Sequence, residues 1–349
     1  MKASCDTNES IETTSNPKNM TEEVKVGPAD IFESNVESSV SYDRSFTVRV
    51  PGSTSNLGAG FDCFSLALKL YLTVSARRGS AGSPSCYVVN SGEGAQDAIL
   101  PQTEDNLIFR AMRFAAEREG LRLPPLHLEV HNEVPLGRGL GSSAAAIVAG
   151  ITLSSLICDH ELSPETVLRY AWELEGHADN VAAAYYGGWV VTCVKPDGNV
   201  LAIKRRWPSD LKVIVVSPDA SLKTAEMRSA LPVSVPLDHA VFNLQRVALF
   251  GGALDAGAYD LLWEAMQDRL HQVHRQSLLP GLAEALATPR QPGLVGIALS
   301  GSGPSVIALG TEHFSEIGEA IANSFRRHGM QATVRLLEVD SEGQKSTTG

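Results

Sequence analysis

The sequence is short of cysteine and of positive charge. Its five cysteines are scattered over 349 residues without any Cys-x-x-Cys spacing; they are Cys5, Cys63, Cys86, Cys158 and Cys193. An odd, dispersed set of this kind favours reduced thiols over a disulfide framework or a zinc site. Lysine and arginine number 29 against 40 acidic residues, a formal net charge of -11. A small ligand is therefore favoured as the main partner over a nucleic acid or an anionic membrane surface.

An unbroken apolar run of membrane-spanning length is also missing. The uncharged stretch of residues 139–158 has the length, but glycines open it and serine and threonine interrupt it. We therefore interpret it as a buried helix. Residues 1–44 lack an apolar signal core and carry acidic residues, unlike secretory or transit peptides. These absences predict a cytoplasmic protein.

The glycine-rich segment of residues 137–143 lacks the marks of two familiar nucleotide-binding loops. No lysine follows its last glycine, as in a P-loop, and Ser142 stands where a dinucleotide motif has glycine or alanine. The segment instead joins a predicted strand at 126–130 to the predicted helix at 142–158. Unpaired N–H groups and the helix dipole favour an anion at such a helix start. The segment alone is also compatible with a helix entry chosen for tight packing.

Hydrophobic periodicity predicts a chain that contains both helices and strands. Alternating or short apolar runs predict strands at residues 46–50, 64–74, 126–130, 189–194, 200–203, 211–216, 294–299, 306–309 and 333–339. Helical spacing predicts helices at residues 103–120, 142–158, 164–174, 237–249, 261–273 and 317–325. Asp105 is a candidate cap for the first of these helices.

Two more loops have unusual composition, at residues 51–62 near the start and 300–305 near the end. Together with the glycine segment, they resemble the GHMP kinase superfamily, named for galactokinase, homoserine kinase, mevalonate kinase and phosphomevalonate kinase. Within it the chain is most similar to the homoserine kinases. The resemblance extends over residues 46–339 and includes the segment 177–181 and Gly187-Gly188.

The resemblance implies a two-layer α/β (α+β) architecture, the GHMP kinase fold. An ATP-binding amino-terminal domain similar to a ribosomal-protein fold would occupy residues 45–205. A ferredoxin-like carboxy-terminal domain would occupy residues 206–340. Residues 1–44 are rich in serine, threonine, asparagine and glutamate, so we expect a disordered tail there. A second, solvated tail is expected at 341–349.

The resemblance also implies the reaction. ATP would donate its γ-phosphoryl group to the side-chain hydroxyl of L-homoserine, giving O-phospho-L-homoserine and ADP, in threonine biosynthesis. The implied ATP-binding residues are Pro135, Leu136, Gly137, Arg138, Gly139, Leu140, Gly141, Ser142, Ser143, Ala144 and Ala145. Ser143 and Glu173 are the implied Mg2+ ligands, with Glu175 as the alternative to Glu173. A homodimer is left open.

The remaining implied site residues surround the amino-acid substrate. Those matching substrate contacts are Asn56, Asp62, His177, Asn180, Arg228 and Arg246. The arginines suit a carboxylate because a guanidinium binds it bidentately. Asn180 would orient the reacting hydroxyl and Thr224 would lie near the transferred phosphate. Asp179 is a weak candidate for a general base. The third loop contributes Gly301, Ser302 and Gly303.

Two rival functions stay open at this point. One is another GHMP kinase, acting on an isoprenoid precursor or shikimate; Arg228 and Arg246 are the residues that distinguish a homoserine kinase from it. A non-catalytic ligand sensor would show a damaged phosphate loop or lack a metal ligand, whereas Ser142, Ser143 and Glu173 are present. His271 and His274 have the spacing of a metal pair on a predicted helix, but no fourth ligand accompanies them.

Overall fold

The computed structural model describes residues 44–80, 82–95, 100–222 and 224–349. The expected amino-terminal tail therefore lies outside the described residues, apart from Arg44. The strands are β1 (Ser45–Ser55), β2 (Phe64–Arg78), β3 (Cys86–Ser91), β4 (Leu126–Asn132), β5 (Trp189–Val194), β6 (Val200–Arg205), β7 (Lys212–Pro218), β8 (Leu294–Leu299), β9 (Val306–Gly310), β10 (Ala332–Leu337) and β11 (Lys345–Thr348).

Helices connect and cover these strands. The α-helices are α1 (Leu107–Arg118), α2 (Ser142–Ile157), α3 (Pro164–Glu175), α4 (Asp179–Tyr186), α5 (Thr224–Ser229), α6 (Leu237–Ala256), α7 (Leu262–Ala265), α8 (Gln272–Arg275), α9 (Leu282–Leu286) and α10 (Phe314–Arg326). Short 3-10 turns cover Glu93–Ala95, Tyr259–Leu261 and Gln276–Leu278.

The described strands form two sheets. The first has the order β11-β1-β2-β4-β3, with β5 pairing with β2 and β6 pairing with β5. The second has the order β10-β7-β9-β8. β1 to β6 belong to the first sheet and β7 to β10 to the second. β11, the last strand, belongs to the first sheet again. The domain boundary at 205/206 stays a prediction.

The end of the chain is not the solvated tail that we expected for residues 341–349. β11 runs antiparallel to β1, with Arg49 opposite Lys345 and Phe46 opposite Thr348. Asp340 anchors the turn before it, accepting hydrogen bonds from the backbone N–H groups of Glu342 and Gly343 at 2.9 and 2.7 Å. The side chains of β11 are all exposed, so no apolar pattern in the sequence marks this strand. Backbone pairing alone makes it part of the sheet.

The helix α2 is buried on nearly every side. It is packed among α1, α3, α4 and β1, and its buried residues run from Ala144 to Ile157. This agrees with the interpretation of the uncharged stretch as a buried helix. Within the described part of the chain, no helix combines the length and apolar character needed to cross a bilayer.

The predicted helix at 261–273 is wrong in its middle. α7 ends at Ala265, and α8 begins only at Gln272. Between them, the carboxylate of Asp268 accepts hydrogen bonds from the backbone N–H groups of Leu270, His271 and Gln272. A side chain that binds three successive N–H groups in this way competes with helical hydrogen bonding. The cap of α1 also differs, because Asn106 rather than Asp105 accepts the N–H of Ile108, at 3.0 Å.

Candidate active site

Three loops that are distant in the sequence lie against one another at the carboxyl end of β1. The amide nitrogen of Asn56 donates to the carbonyl of Gly301 at 2.8 Å, and Ser300 Oγ donates to the carbonyl of Gly139 at 2.7 Å. The backbone N–H of Ser53 donates to the carbonyl of Leu140 at 2.9 Å. The first loop, the glycine loop and the third loop therefore form one connected wall.

The first loop has a strained backbone that its neighbours hold in place. Asn56, Leu57 and Asp62 have φ angles of 71, 46 and 53°, in the left-handed region that L-residues avoid. The Asn56 side chain ties the loop together, because its Oδ1 accepts the N–H of Asp62 at 3.0 Å. Strain of this kind persists where the surrounding structure fixes the backbone. Here it turns the side chain of Asp62 toward the pocket.

The glycine loop enters α2 through Gly137, Gly139 and Gly141, whose φ angles are 63, 73 and 73°. Gly141 is the N-cap of α2 and supplies no side-chain cap. The first N–H groups of the helix are therefore left for another acceptor. An anion at this point would also meet the positive end of a 16-residue helix.

Gly139 is required for close approach as well as for its φ angle. A Cβ at this position would overlap the carbonyl oxygen of Ser300, so Gly139→Ala must push the glycine loop and the third loop apart. We expect it to lower the free energy of unfolding by about 3 kcal/mol and to weaken ATP binding. Urea titration and ATP-binding calorimetry measure the two effects.

Gly120 provides the matched control for this substitution. Its φ angle is 69° and nothing lies within 4 Å of a Cβ built there, so Gly120→Ala adds the backbone strain without the overlap. We expect it to cost about 1 kcal/mol and to leave ATP binding unchanged. Equal losses in the two variants would contradict the close-packing explanation.

The short helix α4, which periodicity did not predict, presents two polar side chains to the loops. The amide of Asn180 donates to Ser53 Oγ at 2.9 Å and accepts from Ser55 Oγ at 3.0 Å. Asp179 Oδ1 accepts the N–H of Asn180 at 2.7 Å and lies 3.0 Å from His177 Nδ1. Burial lowers the pKa of His177, but the carboxylates of Asp179 and Glu175 outweigh it and raise the pKa above 6.5 overall.

The acidic residue beside the glycine loop is Glu175, not Glu173. Ser143 Oγ donates to Glu175 Oε2 at 2.6 Å. Glu173 turns away and pairs with Arg118 on α1. The two glutamates are two residues apart near the end of α3, so the helix directs them to different sides. Glu175 therefore replaces Glu173 as the metal-ligand candidate.

An ion pair closes the opposite side of the pocket. The Arg228 guanidinium contacts both oxygens of Asp62, with Nη2 at 2.8 and 3.1 Å and Nη1 at 3.2 Å. Both side chains are partly exposed, 42% for Arg228 and 37% for Asp62. The ring of Phe61 lies beneath Arg228, 5.6 Å from its guanidinium carbon. The predicted acid and arginine are thus side by side and accessible.

A second arginine reaches this pocket, and it is not the one that we predicted. Arg275 of α8 is almost fully buried, and its Nε and Nη1 donate to the carbonyls of Met227 and Gly301 at 3.1 and 3.3 Å. Its Nη2 forms no hydrogen bond with any residue that the structure describes. Burial, and next the charge of Arg228, lower the pKa of Arg275 to about 10, so the guanidinium keeps its charge at neutral pH.

Arg246 lies elsewhere. Its guanidinium covers the ring of Phe242 at 3.1 Å, donates to the Phe242 carbonyl and pairs with Glu264. It is not among the residues that line the pocket, so Arg275 replaces Arg246 as the candidate ligand of the carboxylate. The sequence contained no signal for Arg275, because an isolated cation normally indicates a solvated surface.

Most of the remaining predicted residues line one pocket. From the glycine loop these are Pro135, Gly137, Gly139, Leu140, Gly141, Ser142 and Ser143, and from the other segments Asn56, Asp62, His177, Asp179, Asn180, Thr224, Arg228, Gly301 and Ser302. Four members of the predicted ATP loop, together with one from the third loop, do not line it; they are Leu136, Arg138, Ala144, Ala145 and Gly303. Ala144 and Ala145 pack into the core instead, and Arg138 donates to the carbonyls of Pro218 and Ala220.

Comparison with known proteins identifies the family. The amino-terminal domain of GHMP kinases matches residues 106–188, and their carboxy-terminal domain matches residues 250–327. The homoserine kinase of Moorella thermoacetica is 39% identical over 296 residues, which are 85% of this chain and 98% of that relative. The chain belongs to the homoserine kinase family.

More distant relatives in this family, and a structure that shares only the wider fold, support the same assignment. The homoserine kinase of Saccharomyces cerevisiae is 34% identical, with 86% of this chain and 98% of the relative covered. The crystal structure of homoserine kinase from Cytophaga hutchinsonii superposes with a TM-score of 0.75 at 27% identity, over 87% and 97% of the two chains. At 18% identity and a TM-score of 0.61, L. major mevalonate kinase shares the fold, over 84% and 96% of the chains. The GHMP kinase fold predicted from sequence is confirmed.

Proposed function

We propose that this chain is a homoserine kinase, transferring the γ-phosphoryl group of ATP to the side-chain hydroxyl of L-homoserine in threonine biosynthesis. The observation that carries the proposal is the position of Asp62, Arg228 and Arg275. These three charged groups face a pocket whose far wall is the glycine loop at the start of α2. A zwitterionic amino acid and a polyphosphate therefore have adjoining sites.

The Asp62–Arg228 pair suits a zwitterion in particular. Each group neutralises the other in the absence of substrate, and each would exchange this partner for one end of the amino acid. The ammonium would pair with Asp62, and the carboxylate would lie between Arg228 and the free Nη2 of Arg275. Charge is balanced before and after binding, and charge-assisted hydrogen bonds orient both ends of the substrate.

Mg2+ would fit beside the glycine loop. Ser143 and Glu175 offer adjacent hard oxygen ligands, and Mg2+ commonly takes few protein ligands and completes its coordination with phosphate and water. No group of three or more His, Cys, Asp or Glu side chains is placed to hold a metal ion within the described ranges. The metal would neutralise the phosphate charge.

The hydroxyl end of the substrate would point toward Asn180 and Thr224. Asn180 is held by Ser53 and Ser55, so its amide has little freedom to reorient. Thr224 begins α5, and Ser302 Oγ donates to its Oγ1 at 3.5 Å. Asp179 is buried and already bonded to His177 and to the N–H of Asn180. It is better placed to hold α4 than to accept a proton. Positioning therefore carries the catalysis.

A substrate screen tests the proposal. Purified protein with Mg-ATP should release ADP on addition of L-homoserine and stay inactive with mevalonate, galactose and shikimate, which lack an ammonium group for Asp62. A coupled ADP assay measures the rates, with ATP alone as the control. Turnover of one of the other alcohols and not of homoserine would refute the substrate while keeping the kinase. Tight homoserine binding without ADP release would favour a ligand sensor.

The proposal includes the cellular location and the oligomeric state of the enzyme. Cys63, Cys86, Cys158 and Cys193 carry free thiols, which fits a reducing cytoplasm. A homodimer stays part of the proposal, and sedimentation of the purified chain tests it.

A further inference from the structure

One buried histidine contacts both the first loop and Arg275, which line the substrate pocket. His271 is fully buried and immediately precedes α8. Its Nε2 lies 2.9 Å from the carbonyl oxygen of Gly58, and its Nδ1 lies 3.2 Å from Nη1 of Arg275. Its ring stacks on Phe61, with centroids 5.1 Å apart. Gly58 and Phe61 belong to the first loop and Arg275 to α8, with the Arg275 guanidinium carbon 5.4 Å from the centroid of the Phe61 ring. The imidazole contacts both segments.

The two partners determine which protonation state the ring has. The Gly58 carbonyl can only accept, so Nε2 must carry a hydrogen. A guanidinium nitrogen can only donate, so Nδ1 must present its lone pair. The neutral form protonated at Nε2 satisfies both partners. A protonated ring would point an N–H at the guanidinium and place two positive charges in contact.

Neighbouring side chains hold the ring in this orientation. Asp268 accepts the amide of Asn243 at 2.7 Å together with three backbone N–H groups, including that of His271 at 2.9 Å. The same Asn243 amide donates to the carbonyl of Ala59 at 3.1 Å in the first loop. Asp268 Oδ2 is 3.9 Å from His271 Nε2, too far for a hydrogen bond. Its oxygens are used by the backbone and Asn243 instead.

Charges approach the ring from several elements. Asp268 comes from its own segment, Arg275 from α8 and Asp62 from the first loop, with Arg228 of α5 behind Arg275. Burial is the largest influence and lowers the pKa of His271 below its ordinary 6.5, while Asp268 opposes this and Arg275 adds to it. Burial thus favours the neutral ring, in agreement with its two hydrogen-bond partners.

We propose that His271 is a positioning residue for substrate binding, whose neutral form accepts a hydrogen bond from Arg275 and so keeps the guanidinium beside the first loop in the orientation that the substrate carboxylate requires. It does not touch the substrate, and it acts through Arg275 and Phe61. The inference rests on the proposed function, in which Arg275 and Asp62 bind the two ends of the amino acid. It implies that homoserine affinity falls when the ring is protonated.

Two conservative variants separate the two contacts of the ring. The amide of His271→Asn can present an acceptor near the position of Nδ1, keeping the bond from Arg275 and losing that to Gly58. The longer His271→Gln can donate near the position of Nε2, keeping Gly58 and leaving the guanidinium without its acceptor. We expect the homoserine KM to rise less than about threefold in His271→Asn and about tenfold or more in His271→Gln. The kcat and the ATP KM should stay within about twofold, because only substrate binding is affected.

His274→Gln is the matched control. His274 lies three residues along and does not line the pocket, so its substitution should leave the homoserine KM unchanged. Urea unfolding of all three variants separates loss of stability from loss of affinity. Equal KM values for His271→Gln and the unaltered chain would overturn the proposal, and so would a larger rise in His271→Asn than in His271→Gln.

Measurements on the unaltered chain keep the proposal testable if a variant fails to fold. Homoserine binding, measured by calorimetry with a non-hydrolysable ATP analogue, should weaken over the pH interval in which 15N NMR shows His271 gaining its proton, which lies below the interval in which His177, whose pKa is raised, gains its own. The substrate's own carboxylate and ammonium keep their charges over this interval. The 15N NMR signals of His271 should show a protonated Nε2 and an unprotonated Nδ1 at neutral pH.

The outcomes distinguish this proposal from the proposed function. Absence of homoserine binding and of ADP release at neutral pH would refute the function itself. Homoserine turnover with an affinity that stays constant while the NMR signals show His271 gaining its proton, or with a protonated Nδ1 at neutral pH, would refute the role of His271 and leave the function intact.

Discussion

Replacement of Arg275 by glutamine should raise the homoserine KM by about 100-fold while leaving the ATP KM within about twofold. Arg275 is almost fully buried and lines the pocket. Its loss would leave a substrate carboxylate in a confined site with only the partly exposed Arg228. Steady-state ADP release at varied homoserine measures the change, and ATP binding reports whether the variant has folded.

Arg246→Gln is the control, because the sequence favoured Arg246 for the same role. Its guanidinium packs on Phe242 and pairs with Glu264, outside the pocket. We expect a loss of stability of about 1 kcal/mol and an unchanged homoserine KM. If Arg246→Gln raised the KM and Arg275→Gln did not, the assignment based on sequence would be right and the structural one wrong.

Replacement of Glu175 by glutamine should lower kcat/KM by about 100-fold or more and raise the Mg2+ concentration needed for half-maximal rate. Glutamine has nearly the same shape and can still accept from Ser143, so packing around the glycine loop is kept. The lost element is the negative charge beside the phosphate site. Rates of ADP release over a titration with MgCl2 measure both effects.

The comparison variant is Glu173→Gln. Glu173 pairs with Arg118, which is about half exposed, so its loss should change the rate less than about twofold. The Mg2+ titration of this variant should overlay that of the unaltered chain. A large loss of rate in Glu173→Gln together with a normal Glu175→Gln would return the metal-ligand role to Glu173.

The local sequence pattern was sufficient to predict those helices and strands whose own residues include a cap, a glycine entry or a short apolar run. β5 and β8 occur at the predicted residues, and α3 begins after Ser163, whose side chain accepts the N–H of Thr166 as an N-cap. α2 was found from its glycine entry and its lack of charge. Three elements near the site were missed, and one of them, α5, is only six residues long. α4 is only eight residues long, and α8 follows a segment whose backbone hydrogen bonds go to Asp268.

The sequence by itself determined the family and much of the site, because three short loops have compositions that tolerate few other uses. Glycines that must adopt positive φ and an asparagine that ties its own loop are local requirements, visible in the printed residues. Which charged side chains enter the pocket was decided only by the tertiary structure. Glu175 points toward the glycine loop and Glu173 away from it because two positions along a helix face different sides. Arg275 lines the pocket and Arg246 does not because they lie on separate helices that pack differently. A one-dimensional pattern records that a charge is present, and the direction of its side chain depends on the residues packed against it.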